Sequence, residues 1–113
     1  MDSRLPARLE ASSLVRRAEV EGGTGMILAS GDPDRGALVL LVAHRGTHVA
    51  CLERGMSEGG MYKWQTVGPV AGASDDELRD WTQKRHRFDP DLWLIELDVP
   101  LPERFIAETT AIG

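Results

Sequence analysis

The segment Ala37–Ala43, with the sequence Ala-Leu-Val-Leu-Leu-Val-Ala, most narrows the folds open to this chain, because every residue in it is apolar. It is far shorter than the roughly 20 residues that a membrane-spanning helix needs. Its leucine and β-branched content at this length favours a strand over a buried helix. A strand without a polar face has to be covered on both sides. The sequence therefore predicts a sheet with this strand in its interior.

Four other segments have the composition of strands. Thr24–Ser30 ends at a cluster of turn-forming residues, Gly-Asp-Pro-Asp-Arg-Gly at 31–36. Thr47–Arg54 and Met61–Val67 follow, and Leu92–Val99 alternates apolar and acidic residues over its second half. Short turns join the first four strands, which predicts an antiparallel meander to which the fifth strand is added later.

Helices are predicted before, between and after these strands. Pro6–Glu21 carries apolar residues at three- and four-residue intervals, and a helix from Ser74 to Arg87 begins with a capping box of Ser74 and Glu77. A short helix spans Glu103–Thr110. The expected fold is α+β: a single domain over 1–113, with helices packed on a five-stranded, mostly antiparallel sheet of four meander strands plus one later strand. The element order is α-β-β-β-β-α-β-α.

Composition restricts the partners and the compartment. The 113 residues carry a formal net charge of −5 and have a sequence pI near 5.1, whereas nucleic-acid-binding proteins concentrate lysine and arginine to neutralise phosphates. Cys51 is the only cysteine, so no disulfide forms within the chain. No segment has the pattern of a secretion signal or a membrane helix. We therefore expect a cytoplasmic protein that binds neither nucleic acid nor membrane.

Several stretches of the chain resemble a known family. They are Arg-Leu-Pro-Ala at 4–7 with Leu-Glu-Ala at 9–11, Arg-Phe-Asp-Pro-Asp-Leu-Trp at 87–93 running into Ile-Glu-Leu-Asp at 95–98, and Glu-Arg-Phe at 103–105. With these motifs the chain resembles the alphaproteobacterial domain of unknown function family 1491, over most of its length. The resemblance implies a bacterial cytosolic single domain. It supplies no site, because the family carries no established activity, cofactor or catalytic residues.

The most distinctive charged segment is the basic run Lys-Arg-His-Arg at 84–87, which is followed by Asp89 and Asp91. Such a run could bind an anionic ligand or an acidic protein surface. Alternatively, its positive charges complement the negative end of a helix, an effect of about 0.3–1 kcal/mol each, and the aspartates form the turn. The candidate binding residues are Arg85, Arg87, Asp89, Asp91 and Trp93.

Carboxylates leave an enzymatic alternative open. Asp-Pro-Asp occurs at 32–34 and at 89–91, and Glu96 lies on the strand that follows the second occurrence. Asp89, Asp91 and Glu96 with the basic run could serve a small metal-dependent hydrolase or a nucleotide-handling enzyme. That function requires these side chains to converge in one pocket. No catalytic residue, metal ligand or cofactor is assigned.

Histidine and cysteine offer weaker candidates. His44 and His48 flank a predicted turn, and with Cys51 or Glu53 they would form part of a transition-metal site if the strand register placed them on one face. The alternative is two exposed hairpin histidines. Cys51 is the one possible thiol nucleophile, but a single cysteine on a strand is usually a small core residue.

Aromatic residues are few, so most of them are needed for packing. We expect Trp81, Phe88 and Trp93 to lie in the core rather than in a ligand pocket. Tyr62 and Trp64 share one face of a predicted strand, where an exposed pair would mark a contact surface.

The absence of a catalytic signature favours a small non-catalytic binding or protein-interaction module, and self-association is one form of this function. An uncovered edge of an antiparallel sheet offers unpaired N–H and C=O groups to another chain. The expected partner is therefore a protein or a second copy of the chain, and no small-molecule ligand is identified.

Overall fold

The computed structural model describes residues 5–56, 59 and 62–111, and these form three helices and five strands. The helices are α1 (Ala7–Val20), α2 (Asp75–Phe88) and α3 (Pro102–Ala111), and the strands are β1 (Thr24–Ala29), β2 (Leu38–His44), β3 (Thr47–Met56), β4 (Tyr62–Val67) and β5 (Trp93–Asp98). The α+β class and the order α-β-β-β-β-α-β-α are confirmed. Met61, the predicted start of the fourth strand, lies outside the described residues.

The strands form one sheet in the order β1-β5-β2-β3-β4. β2 and β5 run parallel, and every other neighbouring pair is antiparallel. The meander is three strands long, β2-β3-β4, instead of the predicted four, because β5 lies between β1 and β2. β2 and β5 have the largest buried fractions, five of seven and four of six residues, so placing them side by side hides both of their faces and leaves β1 at an edge.

Helices α1 and α3 cover one face of the sheet, called here the first face. Four small or aliphatic residues of α1 are buried against it: Ala7, Ala11, Leu14 and Ala18. The guanidinium of Arg17 lies 4.0 Å from the centre of the Phe105 ring and donates to Thr109 Oγ1 at 3.0 Å, which ties α1 to α3. A largely buried ion pair between Glu10 and Arg54 joins α1 to β3.

The one helix that covers the second face is α2, and it does so more thinly. Leu78 and Trp81 pack against a cluster of buried apolar residues on that face, namely Val39, Leu41, Cys51, Leu92 and Leu94. No residue of α2 is fully buried. Gly68 has a φ of 66° and lies under Trp81, where a Cβ atom would stand 2.5 Å from the indole ring. The helix therefore depends on a few contacts along one stripe.

The predicted start of α2 is confirmed. Ser74 Oγ accepts a hydrogen bond from the Glu77 N–H at 3.2 Å, and the Ser74 hydroxyl donates to Glu77 Oε1 at 3.3 Å. The second bond differs from the usual capping box, in which the glutamate accepts from the backbone N–H of the cap residue.

A two-residue turn joins β2 to β3, with positive φ at Arg45 and Gly46. The carboxylate of Asp98 accepts a hydrogen bond from the N–H of each turn residue, both at 2.8 Å. The end of β5 thereby holds the tip of the hairpin in place.

Candidate functional site

The head of Arg85, one of the predicted binding residues, is engaged inside the fold. It forms an ion pair with Glu53 on β3 and lies 5.4 Å from the centre of the Trp81 ring. Both side chains are more than two-thirds buried. Arg85 thus connects α2 to the second face of the sheet. A residue that the sequence suggested as a ligand contact therefore has a structural role.

Arg87, the second basic candidate, lines an open groove between α2 and β1. The groove has a volume of about 370 Å³ and is lined by Ala29, Thr82, Gln83, His86, Arg87 and Leu94. Its floor is apolar, from Ala29 and Leu94, and the wall on α2 carries His86 and Arg87. We call this feature the α2 groove. It can accept an apolar side chain next to a negatively charged group.

The other predicted binding residues serve the loops that precede β5. Asp89 Oδ1 accepts from the Asp91 N–H at 3.2 Å, and the Asp91 carbonyl accepts from the Asp32 N–H at 3.0 Å. Trp93 is 4% exposed on the first face, and its indole N–H donates to the Asp32 carbonyl at 2.8 Å. Arg87 lines the groove on the second face, so the structure does not bring Trp93 and Arg87 into one site.

The two Asp-Pro-Asp segments meet, but through backbone contacts. Gly31 lies so close to the Asp91 carbonyl that a Cβ atom would stand 1.9 Å from its oxygen. Asp32 Oδ1 accepts from the Asp34 N–H at 3.1 Å, the same local bond that Asp89 makes. Within residues 5–56, 59 and 62–111, no three His, Cys, Asp or Glu side chains cluster in a way that could hold a metal ion. Asp89, Asp91 and Glu96 therefore form no such group.

His44 and His48 do not converge, because they lie on opposite faces of the hairpin. His44 pairs with Thr47 and His48 pairs with Ala43, on successive rungs of the ladder. His44 Nδ1 lies 2.9 Å from the Val99 carbonyl, and His48 Nε2 lies 3.0 Å from the Pro69 carbonyl. A carbonyl only accepts, so each of these nitrogens carries a proton and donates it.

Cys51 lies in the core of the second face, with Sγ 3.9 Å from His48 Nε2. Burial removes water from the thiol and raises its pKa from 9.0 to about 11. Because His48 Nε2 donates to a carbonyl, it is not free to take the thiol proton. The pair does not have the arrangement of an activated cysteine.

The expectation that all three aromatics around α2 are core residues is wrong for Phe88. Trp93 is buried and Trp81 partly buried, but Phe88 is 89% exposed. Phe88 follows the stripe of Trp81 and Arg85, yet it is the last residue of the helix, and the chain turns back at Asp89 before any apolar neighbour covers the ring. Trp64 is buried, so no exposed Tyr62–Trp64 pair exists; the side chain of Tyr62 lies outside the described part.

The feature that the sequence interpretation did not single out is the outer edge of β1. Met26, Ile27 and Leu28 are 60%, 38% and 46% exposed, and the segment 24–30 carries no charge and no proline. Among the described residues, only β5 hydrogen-bonds the backbone of β1. Leu28 forms a bulge between Ile27 and Ala29. We call this feature the β1 edge. Its composition could have identified it once β1 was known to be terminal in the sheet.

Comparison with known proteins gives the family. The sequence profile of the family described as protein of unknown function (DUF1491) matches residues 5–107. The chain belongs to this family. No match was found among curated proteins.

Solved structures of DUF1491 relatives have the same fold. A crystal structure of a DUF1491 family protein from Caulobacter crescentus CB15 superposes with a TM-score of 0.73 at 25% identity, covering 86% of this chain and 90% of that chain. The solution structure of protein Atu0922 from A. tumefaciens gives a TM-score of 0.72 at 23% identity, covering 85% and 86%. An NMR structure of a Caulobacter DUF1491 protein gives 0.71 at 26% identity, covering 84% and 86%.

In the described part of this DUF1491 protein, no helix has the length and apolar character that crossing a lipid bilayer requires.

Proposed function

We propose that this DUF1491 protein is a non-catalytic interaction module of the bacterial cytoplasm that receives a polypeptide along the β1 edge. The partner adds a strand to the sheet, and one of its side chains enters the α2 groove beside the strand. Strand addition uses backbone hydrogen bonds for affinity and neighbouring pockets for specificity.

The β1 edge is the observation that carries this proposal. Proteins protect long edge strands with charges, prolines, bulges or a covering element. At 24–30 the bulge at Leu28 is the one such device present. Three consecutive apolar side chains are exposed there, Met26, Ile27 and Leu28. This combination is unfavourable for an isolated monomer and suited to a docking strand.

The α2 groove supports the same surface. Its lining includes Ala29 and Arg87, the chain neighbours of the exposed Leu28 and Phe88. The groove therefore lies beside the exposed residues of the edge strand and beside the end of α2. His86 and Arg87 on the wall add basic groups at the border of this apolar surface.

The uses of the ionisable residues support a binding role over the enzymatic alternative. Arg85 is paired with Glu53, and Asp32 and Asp89 bond to nearby N–H groups. Arg85 and Asp89, two of the residues considered for catalysis, thus have structural partners, and no specific observation favours a hydrolase.

Site-specific photocrosslinking tests the proposal. p-Benzoylphenylalanine replaces Leu28 at the edge, and in a matched variant it replaces Ala107, which is exposed on α3 away from β1. Bacterial cells producing either variant are irradiated, and adducts are identified by mass spectrometry. We expect discrete protein adducts at position 28 and none at position 107. Equal labelling at both positions, or none at position 28, would overturn the proposal.

A further inference from the structure

We propose that the polypeptide on the β1 edge is a second copy of this chain, paired about a twofold axis so that two five-stranded sheets join through their β1 strands. This inference rests on the proposed function, since it names the occupant of the same surface. A twofold axis perpendicular to the sheet makes the two β1 strands antiparallel and keeps both α1 helices on the same face.

The strand itself is compatible with its own copy. In an isologous interface the residues near the twofold axis face their own copies, so a charge close to the axis would lie opposite a like charge. Residues 24–30, Thr-Gly-Met-Ile-Leu-Ala-Ser, are uncharged. The bulge at Leu28 shortens the regular edge, so strand pairing alone is weak and a second contact is needed.

That second contact comes from α1, which packs over β1 and β5. Neighbouring strands are about 4.8 Å apart. The axis of a helix that straddles β1 and β5 therefore lies about 5 Å from the twofold axis, which is midway between the two β1 strands. The symmetry then places the two α1 axes about 10 Å apart. Packed helices lie roughly 8–10 Å apart. The fold thus positions α1 to contact its copy when the β1 strands pair.

The side of α1 that overhangs β1 is identified by Val15, whose Cγ1 lies 3.0 Å from the place of a Cβ on Gly25. Arg8, Ser12, Val15 and Glu19 follow one another at intervals of four, three and four residues, so they form one stripe on this side. Arg8 and Glu19 are exposed, and neither makes an ion pair with another described residue. The stripe has a positive head at one end and a negative head at the other.

The twofold axis converts this stripe into two complementary pairs. α1 has 14 residues and is about 21 Å long, and β1 has six residues and is about 20 Å long. A tight turn joins them, so their midpoints nearly coincide. An axis through those midpoints sets Arg8 of one copy opposite Glu19 of the other, and the reverse. Such rim pairs add little affinity but determine register and partner.

The dimer also completes the α2 groove. In one copy the described residues give the groove a wall on α2 and none beyond β1, because β1 is the last strand of the sheet. In the dimer the two grooves join into one valley whose floor contains both copies of β1 and β5, with α2 on each side. The contact is about 20 Å long and smaller than a standard interface of roughly 800 Å² per partner. We therefore expect dissociation in the micromolar range.

Charge exchange on α1 tests the inference by sedimentation equilibrium from about 5 to 500 μM. Arg8→Glu and Glu19→Arg each create two like-charge contacts and should weaken the dimer about tenfold, and the double variant should restore the dissociation constant to within about threefold. Arg16→Glu, on the solvent side of α1, is the control and should change it less than threefold.

Loss of fold would not mimic this result. An acidic residue near the start of a helix and a basic residue near its end both favour the helix dipole, so both single variants should keep or increase the thermal stability. A wild-type chain that stays monomeric at 500 μM, or a double variant without recovery, overturns the second-copy inference. If photocrosslinking at position 28 then captures a different protein, the proposed function stands with another partner.

Discussion

Replacing Arg85 by alanine should loosen α2 and lower the free energy of unfolding, although Arg85 belongs to the basic run that suggests a ligand site. Its guanidinium pairs with Glu53 and lies over Trp81. α2 has no fully buried residue, so this residue supplies a large share of the contacts that hold the helix.

The magnitude follows from the exposure of the pair. The side chains of Arg85 and Glu53 are 29% and 20% exposed, and solvent screening limits such a pair to about 0.5–1 kcal/mol. The cation–π contact at 5.4 Å adds about 0.5–1 kcal/mol. The total is about 1–2 kcal/mol. A domain of this size unfolds with an entropy of about 0.24 kcal/mol/K, so the melting temperature should fall by about 4–8 °C.

Urea unfolding followed by tryptophan fluorescence measures the effect, and Arg87→Ala is the matched control. Arg87 is exposed in the same helical turn and should change stability by less than about 0.5 kcal/mol. A double-mutant cycle with Glu53→Gln should give a coupling energy of about 0.5–1 kcal/mol. Equal effects of the two arginine variants, together with zero coupling to Glu53, would refute the structural role.

Two further predictions concern Cys51 and Gly31. With the pKa of Cys51 at about 11 in the folded protein, its thiolate fraction at pH 8 is about one thousandth, whereas in the unfolded chain it is about one tenth. A thiol reagent should therefore label the native protein about 100-fold more slowly than the urea-unfolded chain. The unfolded chain loses this proton first as the pH rises, so stability should decrease between about pH 9 and pH 11; labelling at the unfolded rate would contradict the burial. Gly31→Ala places a methyl group against the Asp91 carbonyl and should lower the free energy of unfolding in urea by at least about 2–3 kcal/mol. In the control Gly55→Ala the methyl group meets only a side-chain atom at 3.5 Å, so this variant should be neutral or stabilised by up to about 1 kcal/mol. Similar losses of stability in both variants would show that steric contact is not the cause.

The local elements could be predicted because local signals specify them. The alanine and leucine stripe of α1, the apolar run of β2 and the Ser74 cap each define their element within one or two residues. The position of β5 could not be predicted in this way. Its parallel pairing with β2 joins Leu38 to Trp93. These residues are far apart in sequence, so no turn sequence between them specifies the contact.

The candidate site was harder to predict for the same reason. Whether a residue such as Phe88 is core or surface depends on where its helix ends relative to a sheet built from distant segments. The basic run drew attention by its charge, yet Arg85 faces the sheet and Arg87 faces the groove. The β1 edge became recognisable only from the strand order. A short, mostly apolar strand has the same sequence pattern in the interior of a sheet and at its edge.

The insertion of β5 between β1 and β2 has a consequence during protein synthesis. On the ribosome, β2, β3 and β4 can pair as soon as residue 67 has emerged, but β1 has no hydrogen-bonding neighbour until residues 93–98 follow. For that interval the nascent chain carries α1 and an unpaired apolar segment that cannot yet dock. Such exposed segments attract chaperones and other nascent chains, so slowing translation between residues 67 and 93 should lower the yield of folded protein.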